Sequence, residues 1–212
     1  MSALNKFIFI KNNIDKISKN TKLIVVTKKY PLDVFQDIIN FGHINFGENI
    51  VQEAISKWSP VLKNNKSINL HLVGSLQSNK VDKAVSFFHY IHSLDRVKLA
   101  DKLKEEEIKQ GKKLKYFIQV NVAKEAQKSG IDYDSASDFI KYCITELGLN
   151  IIGLMCLPPV NEKPEIYFRQ LKDLSDLHNL SELSMGMSND YMSAIQNGAT
   201  YVRIGSAIFN KN

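Results

Sequence analysis

Cysteine, proline and tryptophan are all scarce in this 212-residue chain, which holds two, five and one of them. Cys143 and Cys156 are too few and too far apart for a disulfide framework or a cysteine-based metal motif. Five prolines and ten glycines exclude a collagen-like or low-complexity chain. Long apolar runs are missing too. The N-terminal Phe7-Ile8-Phe9-Ile10 is closed in by Lys6 and Lys11, far short of a membrane span or a signal segment. Acidic residues fall behind basic ones, 22 against 28, for a formal charge of +6. The lysines are spread along the chain, and the one compact basic run, Lys109 to Lys115, reads as a solvated loop between a helix and a strand. Charge of this kind does not mark a nucleic-acid surface. What is present in ordinary amounts, 44% hydrophobic and 24% charged residues, is a globular composition. The expectation is one soluble, reduced, cytoplasmic domain over residues 1–212, with no membrane and no nucleic-acid partner.

Apolar patterning alternates between short strand-like runs and helix-period segments. Leu4, Phe7, Ile8, Ile10, Ile14 and Ile17 predict a first helix over Ala3 to Lys19. Strands are predicted at Leu23–Thr27, Ile44–Phe46, Asn69–Val73, Tyr90–Ser93, Lys115–Val122, Asn150–Met155, Glu182–Met185 and Tyr201–Ile204. Helices are predicted between them, among them Leu32–Phe41 behind Pro31, Arg96 to Lys109, Asp134–Glu146 and Pro164–His178. Eight strands separated by helical crossovers, with one extra N-terminal helix, favour an α/β fold and a closed (β/α)8 TIM barrel. An open doubly wound sheet would give a similar alternation. The chain ends at Asn212, too soon after the eighth strand for a full outer helix, and the N-terminal helix is expected to cover that gap.

In such a barrel the loops after the strands share one mouth, where the chemistry sits. Here those loops carry Lys28, Asn49, Ser75, Gln77, Ser93, Asn121, Met155, Ser188 and the pair Gly205-Ser206, with Arg203 inside strand eight and Glu48 the nearest acid. A lysine at the end of a buried strand is costly unless its ammonium is used or reaches water, and a snorkelling side chain is an equally ready reading of Lys28. Gly186-Met187-Ser188 and Gly205-Ser206-Ala207 each open into a helical turn, and loops after strands seven and eight often hold phosphate in barrels. Either loop alone is as readily an N-cap serine or a turn glycine; together they favour a phosphate pocket. A lysine amine facing a phosphate anchor suggests a phosphorylated aldehyde, pyridoxal 5′-phosphate (PLP), held as a Schiff base. The amine must then be neutral to attack, through desolvation or a neighbouring cation such as Lys29 or Arg203. Lys29 and Lys80 remain rivals of Lys28 for the covalent link.

The blocks Val26-Thr27-Lys28-Lys29-Tyr30-Pro31, Asn45-Phe46-Gly47-Glu48-Asn49, His71-Leu72-Val73-Gly74 and Leu76-Gln77-Ser78-Asn79-Lys80 resemble the pyridoxal phosphate homeostasis protein family. So do Ile91-His92-Ser93-Leu94-Asp95-Arg96, Lys128-Ser129-Gly130, Leu183-Ser184-Met185-Gly186-Met187-Ser188 and Val202-Arg203-Ile204-Gly205-Ser206-Ala207-Ile208-Phe209. The resemblance implies an alanine-racemase-like barrel with PLP covalently bound. It further implies Lys28 as the Schiff-base lysine, Ser188, Gly205 and Ser206 as phosphate contacts, Asn49 lining the cofactor, and Arg203 facing the pyridine nitrogen. Departures are Ser75 where the family often has proline, Ile50 where it often has a polar residue, and Asn210 where glycine is common. Asn210 tolerates a left-handed backbone better than most residues, so it is not expected to abolish binding.

An arginine on the pyridine nitrogen cannot accept its proton, so the ring is a weak electron sink. Related racemases add a second base, a tyrosine from a separate C-terminal domain, and no such domain is expected here. These points favour a PLP carrier of cofactor homeostasis, affecting amino-acid and keto-acid balance indirectly, with apo-enzymes as acceptors. The alternatives are a low-activity PLP-dependent amino-acid racemase and a phosphosugar-type barrel enzyme without PLP.

Overall fold

The computed structural model describes residues 1–125 and 129–210, so Lys128 of the Lys128-Ser129-Gly130 block and the terminal Lys211 and Asn212 lie outside the described residues. Eight strands form one parallel sheet: β1 Lys22–Val26, β2 Asn45–Glu48, β3 Asn69–Leu72, β4 Tyr90–Leu94, β5 Lys115–Asn121, β6 Ile151–Met155, β7 Glu182–Ser184 and β8 Tyr201–Ile204. Their order is β4-β3-β2-β1-β8-β7-β6-β5, and a β4–β5 pairing closes the ring into the expected TIM barrel. An unforeseen two-residue strand, Ile131–Asp132, pairs with the C-terminal end of β5 at Val120 and Asn121.

Around the sheet run α1 Ala3–Ile17, α2 Gln36–Asn40, α3 Val51–Asn64, α4 Val81–Phe87, α5 Val97–Gln110, α6 Ala136–Lys141, α7 Pro164–Leu177, α8 Tyr191–Gln196 and α9 Ser206–Phe209. Local signals place several ends. The Ser2 hydroxyl accepts the Asn5 N–H at the start of α1, Pro164 opens α7, and Gly111 ends α5 with φ +62°. α9 is only four residues long, and α1 packs against α2, α8 and α9, closing the gap that a full eighth helix would fill.

Two predicted helices are broken. Leu32–Phe41 divides into a 3-10 turn, Leu32–Val34, and α2, because Phe35 leaves helical geometry (φ −128°) to bury its ring against Phe46 and Trp58. Asp134–Glu146 becomes a 3-10 turn at Tyr133–Ser135, then α6, then a π-helical turn Tyr142–Glu146.

Apolar side chains fill the space between barrel and helices in one large cluster. Inside the barrel a second, small cluster joins Ile24, Val26, Tyr90, Phe117, Met155 and Tyr201. Barrel interiors are usually packed with branched aliphatic residues. This one also buries His71, His92, Ser184 and Arg203.

Candidate functional site

Lys28 lies just beyond β1, in a turn closed by the Tyr30 N–H donating to the Thr27 carbonyl at 3.1 Å. Lys29 takes a left-handed backbone in that turn, φ +66°, which a non-glycine residue adopts only under local constraint. The constraint comes from below. The Lys57 ammonium on α3 donates to the Thr27 carbonyl (2.8 Å) and to Glu48 Oε1 (2.9 Å). Thr27 Oγ1 and Trp58 Nε1 donate to the same carboxylate oxygen at 2.6 and 2.9 Å. Glu48 is therefore a fully buried anchor under the Lys28 turn, not an acid at the mouth as its sequence position suggested. Lys28 itself is exposed, so it carries no burial cost.

The opposite wall is made by the loops after β7 and β8. The Ala207 N–H donates to Ser188 Oγ at 3.1 Å, so Ser188 caps α9 across the gap and not the helix that follows it in sequence. Asp190 precedes α8 instead, and its carboxylate accepts the Met187 N–H at 2.6 Å. Tyr30 couples the two walls: its ring packs on Phe209 at 4.5 Å and its hydroxyl donates to Asn210 Oδ1 at 3.1 Å. Asn210 has φ −64°, so its tolerance of a left-handed backbone is not called on; an extended backbone needs no glycine. Its carbonyl accepts the Lys6 ammonium from α1 instead.

Between these walls lies a cavity of about 610 Å³, within the roughly 300–1,000 Å³ usual for small-molecule sites. Lys28, Asn49, Ser188, Arg203, Gly205 and Ser206 all line it, as does the rival Lys29, whereas Lys80 does not. Other strand-end residues face elsewhere. Ser93 donates to the Gly74 carbonyl, Ser75 meets Ser129, and Asn121 closes its own loop onto Glu125. Sequence reasoning missed the Leu157-Pro158-Pro159-Val160 wall and the carboxylates Glu162 and Asp190. The Pro158-Pro159 pair after β6 was the available signal, since a stiff loop at a strand end borders the mouth.

Arg203 rises from the barrel interior and is 5% exposed. Its Nη1 donates to the Ser184 carbonyl and to Ser184 Oγ, both at 2.6 Å, and Nη2 donates to the Cys156 carbonyl at 3.0 Å. A guanidinium has five N–H groups, so one Nη2 hydrogen and the Nε–H carry no bond among the described residues. Burial lowers its pKa to about 10, with Cys156 and Asp190 raising it, and it stays protonated at neutral pH. On the wall opposite Lys28, the backbone N–H groups of Ser188, Asn189, Gly205 and Ser206 donate no bond among the described residues. The cavity thus pairs an amine with unbonded donors at its far wall and one charged donor at its base. Such an arrangement suits a small anionic ligand.

The comparisons agree with that chemistry. A family model described as the N-terminal domain of alanine racemase matches residues 9–212. The pyridoxal phosphate homeostasis protein of Aquifex aeolicus is 37% identical over 201 residues, which cover 90% of this chain and 86% of that one. PipY of Synechococcus elongatus PCC7942, solved with PLP bound, is 30% identical with a TM-score of 0.88, covering 99% of this chain and all (100%) of its own. An alanine racemase of Clostridium difficile 630, 14% identical with a TM-score of 0.75 over 57% of its length, shares the barrel alone. From its motifs, its barrel and these relatives, the chain belongs to the alanine racemase N-terminal-domain family and, within it, to the pyridoxal phosphate homeostasis proteins.

Proposed function

We propose that this chain binds PLP and serves its homeostasis by storing the cofactor and handing it to apo-enzymes. The observation that carries the reading is the gathering of Lys28, Arg203 and the two donor loops around one cavity. Residues 1–212 act as one binding barrel. A cytoplasmic setting fits the two buried free thiols, Cys143 and Cys156, which burial pushes up to about 12.

When bound, PLP supplies an aldehyde and an electron-accepting ring. Lys28 would hold it as a Schiff base, its neutral amine adding to the aldehyde carbon with loss of water. The Ser188 and Ser206 hydroxyls and the neighbouring backbone N–H groups would receive the phosphate, with Gly205 letting the loop pass close to β1. Asn49 would line the ring. Arg203 would offer an N–H to the pyridine nitrogen while keeping its own proton, which favours retention over turnover.

An absorbance spectrum of the purified protein, before and after borohydride, tests this. The expected result is a visible band that borohydride abolishes and that Lys28→Ala lacks. A colourless protein that takes up no added PLP overturns the reading, and a band surviving in Lys28→Ala but lost in Lys29→Ala moves the link. One rival is weak amino-acid racemisation with Lys28 as one base. Robust D-isomer formation from L-amino acids that is lost in Lys28→Ala would establish it.

A further inference from the structure

An unbroken line of hydrogen bonds crosses the barrel interior and ends on Arg203. Arg203 Nη1 lies 2.6 Å from Ser184 Oγ, which lies 2.8 Å from His92 Nδ1. His92 Nε2 is 3.0 Å from His71 Nδ1, and His71 Nε2 is 3.3 Å from Asn45 Oδ1. The members come from β8, β7, β4, β3 and β2, so the line runs from one side of the ring to the other. Ser184, His92 and His71 are fully buried. Stacking fixes both imidazole planes, His71 on Tyr90 and His92 on Phe117, each with ring centres 4.2 Å apart.

Counting donors gives the line a direction. A guanidinium only donates, so Ser184 Oγ accepts from Arg203. At the other end Asn45 Oδ1 already accepts the Asn69 side-chain amide at 3.4 Å. With both ends fixed, one assignment supplies every bond with one hydrogen. The Ser184 hydroxyl donates to His92 Nδ1, His92 Nε2–H to His71 Nδ1, and His71 Nε2–H to Asn45 Oδ1. The reverse order strands the serine hydrogen and sets a histidine lone pair against the Asn45 oxygen. Burial, helped by neighbouring cations, holds both imidazoles well below the usual 6.5, so both are neutral at neutral pH.

We propose that this line positions Arg203 for the cofactor. His71 and His92, as Nε2–H tautomers, turn the Ser184 hydroxyl so that its lone pair meets the guanidinium, whose unbonded N–H edge then faces the cavity. His92 and Ser184 are positioning residues for Arg203, and the proposal rests on Arg203 being the ring contact. The alternative of an apolar interior would avoid burying two imidazoles, each of which loses solvation. That loss is offset only where every nitrogen finds a partner, as it does here.

Two measurements test it. Long-range ¹⁵N–¹H NMR of the imidazoles in the full chain without PLP should show both rings as Nε2–H tautomers. An Nδ1–H tautomer or an imidazolium at either histidine overturns the proposal. PLP titration, read by the visible band and the borohydride-trapped fraction, should weaken about tenfold or more in Ser184→Ala, the effect of losing a charge-assisted bond. Ser184→Thr, which restores a hydroxyl, should recover parental affinity. Parental affinity in a folded Ser184→Ala overturns the proposal. Should that variant not fold, His92→Gln carries the same expectation, and the parental tautomers decide independently. A parent chain that binds no PLP at all would overturn the cofactor reading, and with it the role given to Arg203, whatever the tautomers show.

Discussion

At the residue scale, position in the chain was a better guide than burial. Lys28 stood out by its place at the end of a buried strand; it is exposed, and what marks it is the turn that Thr27, Lys57 and Tyr30 hold in place. No sequence pattern announces a helix lysine reaching back to a strand-end carbonyl 30 residues away. Ser188 was legible as a capping residue, but of α9 and not of its own helix, because capping across two loops depends on the barrel closing first. Gly205 was legible as a turn glycine and also proves to be a close approach: a Cβ there would stand 2.9 Å from the Val26 carbonyl oxygen. Gly205→Ala should therefore push the β8 loop off β1 and weaken PLP binding, with a melting temperature lowered by a few degrees, the shift that about 1 kcal/mol produces. Unchanged PLP affinity in that variant would show that the loop does not hold the ligand.

Among the elements, α3 and β2 form the floor of the site. Lys57 is 15% exposed and Glu48 fully buried, so their ion pair at 2.9 Å is shielded from solvent. Removing one partner of such a pair strands the other charge, and Lys57→Met should lower unfolding free energy by about 3 kcal/mol. Urea denaturation measures it, and a loss indistinguishable from zero would mean that Glu48 is not held as an ion. β6 and β7 touch even more closely. A Cβ on Gly153 would lie 1.9 Å from the Glu182 carbonyl oxygen, backbone that cannot step aside. Gly153→Ala should break the β6–β7 pairing and yield insoluble or unfolded protein; a soluble variant with parental circular dichroism would contradict that. The helix that failed to form as one piece over Leu32–Phe41 shows the limit of period-counting. Its apolar spacing is helical, but Phe35 is drawn out of register by Phe46 and Trp58, partners that only the fold supplies.

For the whole molecule, counting eight strands was enough to favour closure, and the β4–β5 pairing realises it. The polar interior was not legible. His71 and His92 sit in strand positions where a period-two reading sees only an inward face, and Ser184, 92 residues beyond His92, meets it only once the ring is shut. That interior sets a pH dependence. His71 and His92 are held below 6.5 when folded, chiefly by burial. As pH falls through 6.5 the unfolded chain gains protons that the folded chain refuses, so the unfolded state is favoured. The denaturation midpoint should already be lower at about pH 5.5 than at about pH 7.5, above the range where carboxylates titrate. A midpoint flat across that interval would mean that these rings are charged in the native state.

The chain's single tryptophan has a further consequence. Trp58 is fully buried, and its N–H rests on the same carboxylate oxygen that receives the hydroxyl of Thr27, the neighbour of Lys28. Its fluorescence therefore originates beside the Lys28 turn and from nowhere else in the protein. A cofactor that absorbs in the near ultraviolet would accept that emission by energy transfer, so loading and release could be timed as quenching and recovery of one intrinsic optical signal, without a label.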